Sequence, residues 1–239
     1  KAMLLSTGAY SAKLINKEDA SKVWGVRKAG LGLLMGKVGP KKAIAVIEDA
    51  AVPVDKLYLY YQEIKLLMQS YGVDAVYYGH ASVGLIHIRP MLDLSKRKDQ
   101  KIMLSIAKKA SRIIKKYHGS LSGEHGDGRV RASFLKEQFG KVVYQYFVDL
   151  KHTFDPNNLF NPGVILSDKS ILENLRPVVE QQELITAFDW KDDLSFYYAA
   201  EKCSGAGVCR KSTGGIMCPS YRATRSEEFS TRGRANLLR

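Results

Sequence analysis

Cysteine is missing from the first 202 residues of this 239-residue chain, and all three copies fall between positions 203 and 218. That excludes a disulfide scaffold and points to a reducing compartment with a local metal or redox use of thiols. No apolar run approaches the ~20 residues that a bilayer-spanning helix needs. The opening "KAMLLSTGAYSAK" turns polar at once, unlike a secretory signal, so a cytoplasmic protein is expected. It also lacks an initial Met, and the last residues read as the helix-like "RGRANLLR"; a piece of a longer protein is the expectation. There is no internal repeat and no low-complexity tract, and histidine is scarce at five copies.

What is present suffices for a globular core: 45% of residues are hydrophobic and 26% charged, which excludes wholesale disorder. The net charge of +13 permits nucleic acid, an anionic membrane surface or anionic small molecules as partners. Many of the cations sit in "KRKDQKIMLSIAKKASRIIKKYHG", between apolar positions at helical spacing. Such a pattern is a solvated helix face, or a face that meets a partner such as the inner face of a membrane. Nucleic-acid binding lacks aromatic–basic interleaving and any recognisable motif, so no nucleic-acid partner is expected.

Patterning predicts a strand near Met3–Ala9 and a helix that starts at the N-cap Asn16 and stops near Gly36. A strand over "AIAVIED" follows, then a helix over "PVDKLYLYYQEIKLLMQSYG". "DAVYYGHASVGLIHIRP" reads as a hairpin, residues 96–117 as a long helix, and Arg131–His152 as another. This order implies an α+β fold, with helices on one face of a mixed or antiparallel sheet. The turn cluster "FDPNNLFNPGVI" closes a first domain at about residue 167. Residues 168–239 read as a linker and a mostly helical or irregular cysteine segment.

Two stretches carry chemistry. In "SGEHGDG" a carboxylate, Glu124, stands beside an imidazole, His125, on a glycine-rich loop suited to close backbone approach. In the hairpin, a loop centred on Val83-Gly84 makes His80 and His87 cross-strand partners, with Cβ atoms roughly 4.5–5.5 Å apart. Two readings stand: ordinary hydrogen-bonded strand histidines, or a pair that shares a metal ion. With Glu124 the pair offers three protein ligands and an open position, the pattern of catalytic zinc. His125 then stays free as a general base.

"GHASVGLIHIRP", "SGEHGDGRVR" and "FDPNNLFNPGVI", in this order, resemble the C-terminal half of the FAD-linked oxidases. This family includes D-lactate dehydrogenase, the glycolate oxidase large subunit and D-2-hydroxyglutarate dehydrogenase. Over about residues 1–166 the resemblance implies a substrate-side cap with a ferredoxin-like sheet, its flavin domain lying upstream. It implies that His80, His87 and Glu124 hold a divalent metal, zinc or manganese, and that His125 takes the substrate proton while hydride goes to FAD. It gives Arg27, in "WGVRKAG", the substrate carboxylate, a role the planar guanidinium suits; a solvated helix face is the other reading. Arg89 and Leu31 depart from relatives that carry asparagine and threonine there. A cation at Arg89 suits a substrate with two anionic groups. Asn161 is expected near the flavin.

The segment with Cys203, Cys209 and Cys218 resembles the opening of an iron–sulfur module fused behind such oxidases. Its spacing, C-x5-C-x8-C-P, has Ala206 where a ferredoxin pattern has a further cysteine. A 4Fe–4S cluster in a longer protein and three buried thiols without metal are the two readings. The expected function is therefore a fragment of an FAD-dependent oxidoreductase acting on a D-2-hydroxyacid. Electrons would pass to an iron–sulfur module and then to an acceptor protein or quinone, and the fragment alone would be inactive. A flavin-independent zinc hydrolase is the alternative, and a basic nucleic-acid-binding module, suggested by the net charge alone, ranks behind it.

Overall fold

Asn16 starts the first helix, α1 (Lys17–Met35), because its side-chain oxygen accepts the Asp19 N–H at 2.8 Å while Glu18 and Asp19 favour the positive helix end. The computed structural model of the protein describes residues 13–175, 184–215 and 218–238, with no side chain for Leu31. The strand expected over Met3–Ala9 and the Leu31 side chain lie outside the described residues. The chain divides into two units: Gly39–Gln182, and Lys1–Val38 together with Glu183–Arg239.

In the Gly39–Gln182 unit the order is β1 (Lys42–Ala43), β2 (Ala50–Ala51), α2 (Leu57–Ser70), β3 (Ala75–His80), β4 (Leu85–Leu92), α3 (Arg97–Lys116) and α4 (Ala132–Phe154). Every ladder is antiparallel: β4 pairs with β3 along one side and with β1 and β2 along the other. Ala51 also bridges Ser120, so the segment after α3 lies beyond β2. The arrangement is α+β; β2, α2, β3, β4, α3 and the Ser120 bridge follow the β-α-β-β-α-β order of a ferredoxin-like sheet, its last strand reduced to that one bridge.

Period-two alternation along β4 assigns its faces. Ile88 and Leu92 join the core of α2 (Tyr60, Ile64, Leu67, Met68) and α3 (Met103, Ile106, Ala107, Ala110, Ile114). The buried residues repeat at i, i+4, i+7 and i+8 in α2 and at i, i+3, i+4 and i+7 in α3, as one-sided burial requires. The other face of β4 carries Leu85, His87, Arg89 and Met91, all buried. Within α4, Gly140 is non-helical (φ 82, ψ 166), so its helical pattern breaks there.

Two expectations need correction. "AIAVIED", residues 43–49, is not one strand: the ladder takes Lys42–Ala43 at its start and Ala50–Ala51 just after it. Between them Glu48 and Asp49 direct their carbonyls elsewhere, to His87 Nδ1 and Gly123 N. The hairpin register is also different, because His80 pairs with Leu85 and Tyr78 with His87. The loop is a 3-10 turn, Ala81–Val83, closed by left-handed Gly84. Slipping by two residues keeps both histidines on one face; a slip by one would have separated them.

Gly84 decides that register. Its φ is +72°, and a Cβ there would lie 1.8 Å from the Val52 carbonyl oxygen. The Val52 N–H in turn donates to the Gly84 oxygen at 2.9 Å. Gly84→Ala is therefore expected to cost about 2–4 kcal/mol, read as a lowered urea midpoint; an unchanged midpoint would refute this account.

In the other unit, α1 is accompanied by α5 (Phe196–Ala200), α6 (Pro219–Thr224) and α7 (Thr231–Leu237). Ser195 and Ser230 cap α5 and α7 through their side-chain oxygens.

Candidate functional site

The face of β4 turned away from the helices presents His87, and the diagonal relation to β3 brings His80 beside it. The two rings meet edge to face, with centroids 5.4 Å apart. On the other side His125 stacks nearly parallel on His87, at 5.3 Å and 9°. Glu124 reaches between them: its Oε1 lies 3.2 Å from His87 Nε2, 3.3 Å from His125 Nε2 and 3.4 Å from His80 Nε2. Thus three residues expected to share a ligand, and the expected base, converge on one point.

The loop that carries Glu124 and His125 is held by Asp49, whose side chain is fully buried. Its carboxylate accepts from the Ser122 hydroxyl and from the backbone N–H groups of Glu124 (3.1 Å) and His125 (2.8 Å). Gly123 N donates to the Asp49 carbonyl at 2.7 Å. A side chain at 123 would meet Leu85 Cδ1 at 2.5 Å, so glycine lets the loop press onto the sheet. Burial pushes the Asp49 pKa up, but the hydrogen bonds from Ser122, His125 and Glu124, with the His125 charge, outweigh it and leave it below 3.8. A depressed carboxylate pKa stabilises the fold above the unfolded value, and that contribution disappears as pH falls through the folded value. Wild-type stability is therefore expected to decline more steeply than that of Asp49→Asn below about pH 4. Parallel urea titrations at stepped pH test this; identical slopes would contradict it.

Behind the imidazoles lies a buried charged wall. Glu48 Oε1 accepts from His125 Nδ1 at 2.8 Å, and Oε2 accepts from Arg89 Nη2 at 3.1 Å. Arg131 Nη2 stands 3.6 Å from Oε1 and its Nη1 donates to the Gly126 oxygen at 2.8 Å. The Glu48 main-chain oxygen takes the His87 Nδ1 hydrogen at 2.5 Å. This contact puts the His87 proton on Nδ1 and leaves the Nε2 lone pair facing Glu124. The Glu48 hydrogen bond raises the His125 pKa above 6.5; desolvation opposes the shift, and the charges of Glu48, Asp49 and Glu124 add to it.

The donor set fits a divalent cation. Imidazole nitrogens and a carboxylate oxygen are the ligands such ions take, and His87 is pre-oriented by a second partner. The ligand atoms of Asp49, His87, Glu124 and His125 also lie within 4.8 Å of one another. Asp49 is nonetheless engaged by three loop donors, which makes it the anchor of the loop. The site is closed behind and open in front: the His87 side chain is 5% exposed, those of His80, Glu124 and His125 are 39%, 42% and 45%.

Arg89, expected at the substrate, is buried between Glu48 and the Tyr78 hydroxyl, to which its Nε donates at 2.9 Å. Arg27 is exposed on α1, its guanidinium 5.6 Å above the Trp24 ring. Asn161 is exposed at φ 46 on a turn linked to the glycine loop by the Ile165 N–H, which donates to the Gly128 oxygen at 2.9 Å. Cys203 and Cys209 are half-buried and Cys218 is buried; none of the three is in a disulfide. Three thiols do not complete the four-cysteine set of a 4Fe–4S centre, so they do not fit one as they stand.

Glu48, Asp49, Tyr78, Ser122 and Arg131 were not anticipated. One signal was available: "IED" places two acids at the end of an apolar run, and acids buried in such a run must be paired.

The Gly39–Gln182 unit is thus an α+β domain that gathers three histidines and a glutamate at the open face of its sheet. Residues 1–165 match the family described as FAD linked oxidases, C-terminal domain, and the chain belongs to that family. It is 34% identical to the D-2-hydroxyglutarate dehydrogenase of Pseudomonas putida over 93% of this chain and 22% of that protein. The Escherichia coli D-2-hydroxyglutarate dehydrogenase is 31% identical over 91% of this chain and 22% of its own length. The D-lactate dehydrogenase of Archaeoglobus fulgidus is 33% identical over 54% of this chain and 28% of its own length. The chain thus spans about a fifth of the D-2-hydroxyglutarate dehydrogenases it matches. Among the described residues, no helix is long and apolar enough to cross a membrane.

Proposed function

We propose that this chain is the metal-holding, proton-accepting portion of an FAD-dependent oxidoreductase that converts a D-2-hydroxyacid to its 2-oxoacid. The observation that carries the proposal is the meeting of His80, His87 and His125 Nε2 atoms on Glu124 Oε1 within 3.2–3.4 Å. His80, His87 and Glu124 are the ligands of a divalent cation, zinc or manganese, which when bound supplies Lewis acidity to the substrate hydroxyl. His125 Nε2 takes the hydroxyl proton, with its Nδ1 anchored on Glu48. A flavin would supply the two-electron, hydride-accepting chemistry, with the C2 carbinol becoming a carbonyl as His125 takes the hydroxyl proton.

Asn161 is the residue of this chain that we assign to the flavin side. Arg27 is assigned to the substrate carboxylate. Arg27→Ala is expected to raise KM by about 10- to 100-fold with kcat largely kept, since a charge-assisted bond to a bound anion is lost; an unchanged KM removes it from this role. D-2-Hydroxyglutarate is the favoured acid, because proteins so named match more than nine-tenths of this chain. Membership in a flavin-linked family supports this chemistry over a flavin-independent zinc hydrolase. The test is anaerobic bleaching of the flavin in the full-length protein by a panel of D-2-hydroxyacids, with and without a chelator. Bleaching by at least one acid, suppressed by the chelator and restored by zinc or manganese, is expected. Bleaching indifferent to the chelator would overturn the metal assignment.

A further inference from the structure

Glu48 is the residue this arrangement turns on, and its carboxylate, engaged by Arg89 and His125, stands outside the proposed ligand set. It touches both stacked imidazoles by different atoms: the main-chain oxygen takes the Nδ1 hydrogen of His87, and carboxylate Oε1 takes the Nδ1 hydrogen of His125 at 2.8 Å. Each contact assigns the proton to Nδ1 and turns Nε2 toward Glu124 Oε1. The near-parallel stacking of the two rings follows, because both hang from one residue at the same edge. Arg89 and Arg131 converge on the carboxylate from the other side, at 3.1 and 3.6 Å.

We infer that Glu48 is a positioning residue: its side chain selects the His125 tautomer that can accept a proton at Nε2, while its backbone independently orients the metal-ligand face of His87. The inference rests on the function proposed above, with His125 as the base and His87 as a ligand. It separates two roles that any gross disturbance of the site would remove together. The side-chain arm is open to substitution, whereas the main-chain arm survives it.

Glu48→Gln exploits this separation. A carboxamide is nearly isosteric, but it must turn its oxygen to one neighbour and its NH2 to the other. Arg89 Nη2 donates to Oε2 at 3.1 Å, whereas Arg131 Nη2 stands 3.6 Å from Oε1, beyond a hydrogen bond, so the oxygen stays with Arg89 and the NH2 faces His125 Nδ1. His125 Nδ1 must then accept, its proton moves to Nε2, and Nε2 can no longer take the substrate proton. Glu48→Asp keeps an acceptor on both sides and restores the tautomer, although its shorter reach weakens it.

The experiment uses the full-length flavoprotein with D-2-hydroxyglutarate, or whichever acid bleaches its flavin, as the probe. In Glu48→Gln the rate of flavin reduction is expected to fall about 100-fold, with KM within about twofold and bound zinc or manganese unchanged by elemental analysis. The solvent deuterium isotope effect on flavin reduction should increase, because proton acceptance has become the hindered event. Glu48→Asp should recover at least about tenfold of the loss. Wild-type flavin reduction in Glu48→Gln overturns the inference. So does loss of metal or a parallel rise in KM, which would make Glu48 a general support of the fold. His125→Gln distinguishes this failure from that of the underlying function. If His125→Gln reduces flavin normally, the base assignment itself is wrong; if it is inactive while Glu48→Gln is not, only the positioning role is lost.

Discussion

His125→Gln is expected to take up zinc or manganese as the wild type does, yet to reduce flavin about 10²–10⁴-fold more slowly, the range spanned by a positioned general base. The separation follows from the hairpin and the loop contributing different groups. His80, His87 and Glu124 remain, and the ring of His125 adds stacking to His87 without holding it in place, because His87 is tied to the Glu48 carbonyl. Glutamine can still donate and accept hydrogen bonds, so the loop, fixed by Asp49 through backbone N–H groups, keeps its course. Stopped-flow absorbance of the oxidised flavin in the full-length protein, together with elemental analysis of the same sample, makes the test. Undiminished reduction would remove His125 from proton transfer; loss of metal would make it a ligand.

His87→Ala is expected to act on the other half of the site. It removes the most buried donor, leaves the Glu48 carbonyl without its imidazole hydrogen, and opens space beside Tyr78. Cation affinity should fall by more than about 100-fold, beyond the range seen for loss of a supporting partner alone, and chelator-sensitive turnover should vanish. The Tyr78 ring, now 4.7 Å from that of His87, and the buried Arg89–Glu48 pair remain to hold the strand. Stability should decrease by roughly 1–3 kcal/mol, the cost of stranding one buried polar group. Titration of the apo protein with zinc, monitored by competition with a chromophoric chelator, gives the affinity directly. Equal affinity for wild type and variant would mean that the three Nε2 atoms meet for some reason other than a shared cation.

Much of this site was legible because its signals are local. Asn16 before an acidic turn, the helical spacing of Tyr60, Ile64 and Leu67, and the alternation through Ile86, Ile88 and Leu92 are all short-range patterns. They determine α+β architecture, a hairpin, and the common face of His80 and His87. Glu124 and His125 stood out for an equally local reason, since glycine next to a charged pair signals backbone held close to something. The hairpin register differs by two residues from the one its loop suggests, because the sequence of the loop does not say where it docks. That depends on the contact of Gly84 with Val52, which lies more than thirty positions away in the chain.

The sequence by itself determined which residue types were available and on which face of their own element each would lie: two hairpin histidines together, a carboxylate beside an imidazole, arginine at position 89. Only the tertiary structure decided what those groups do to one another. It carried the expected strand away from the ladder at Glu48 and Asp49, anchored the glycine loop on Asp49, and set Glu48 behind both imidazoles. It also paired Arg89 with Glu48 at the rear wall of the site. The reason is physical: periodicity follows from the dihedral geometry of one segment, whereas pairing of buried charges depends on which distant segments burial brings within hydrogen-bond reach.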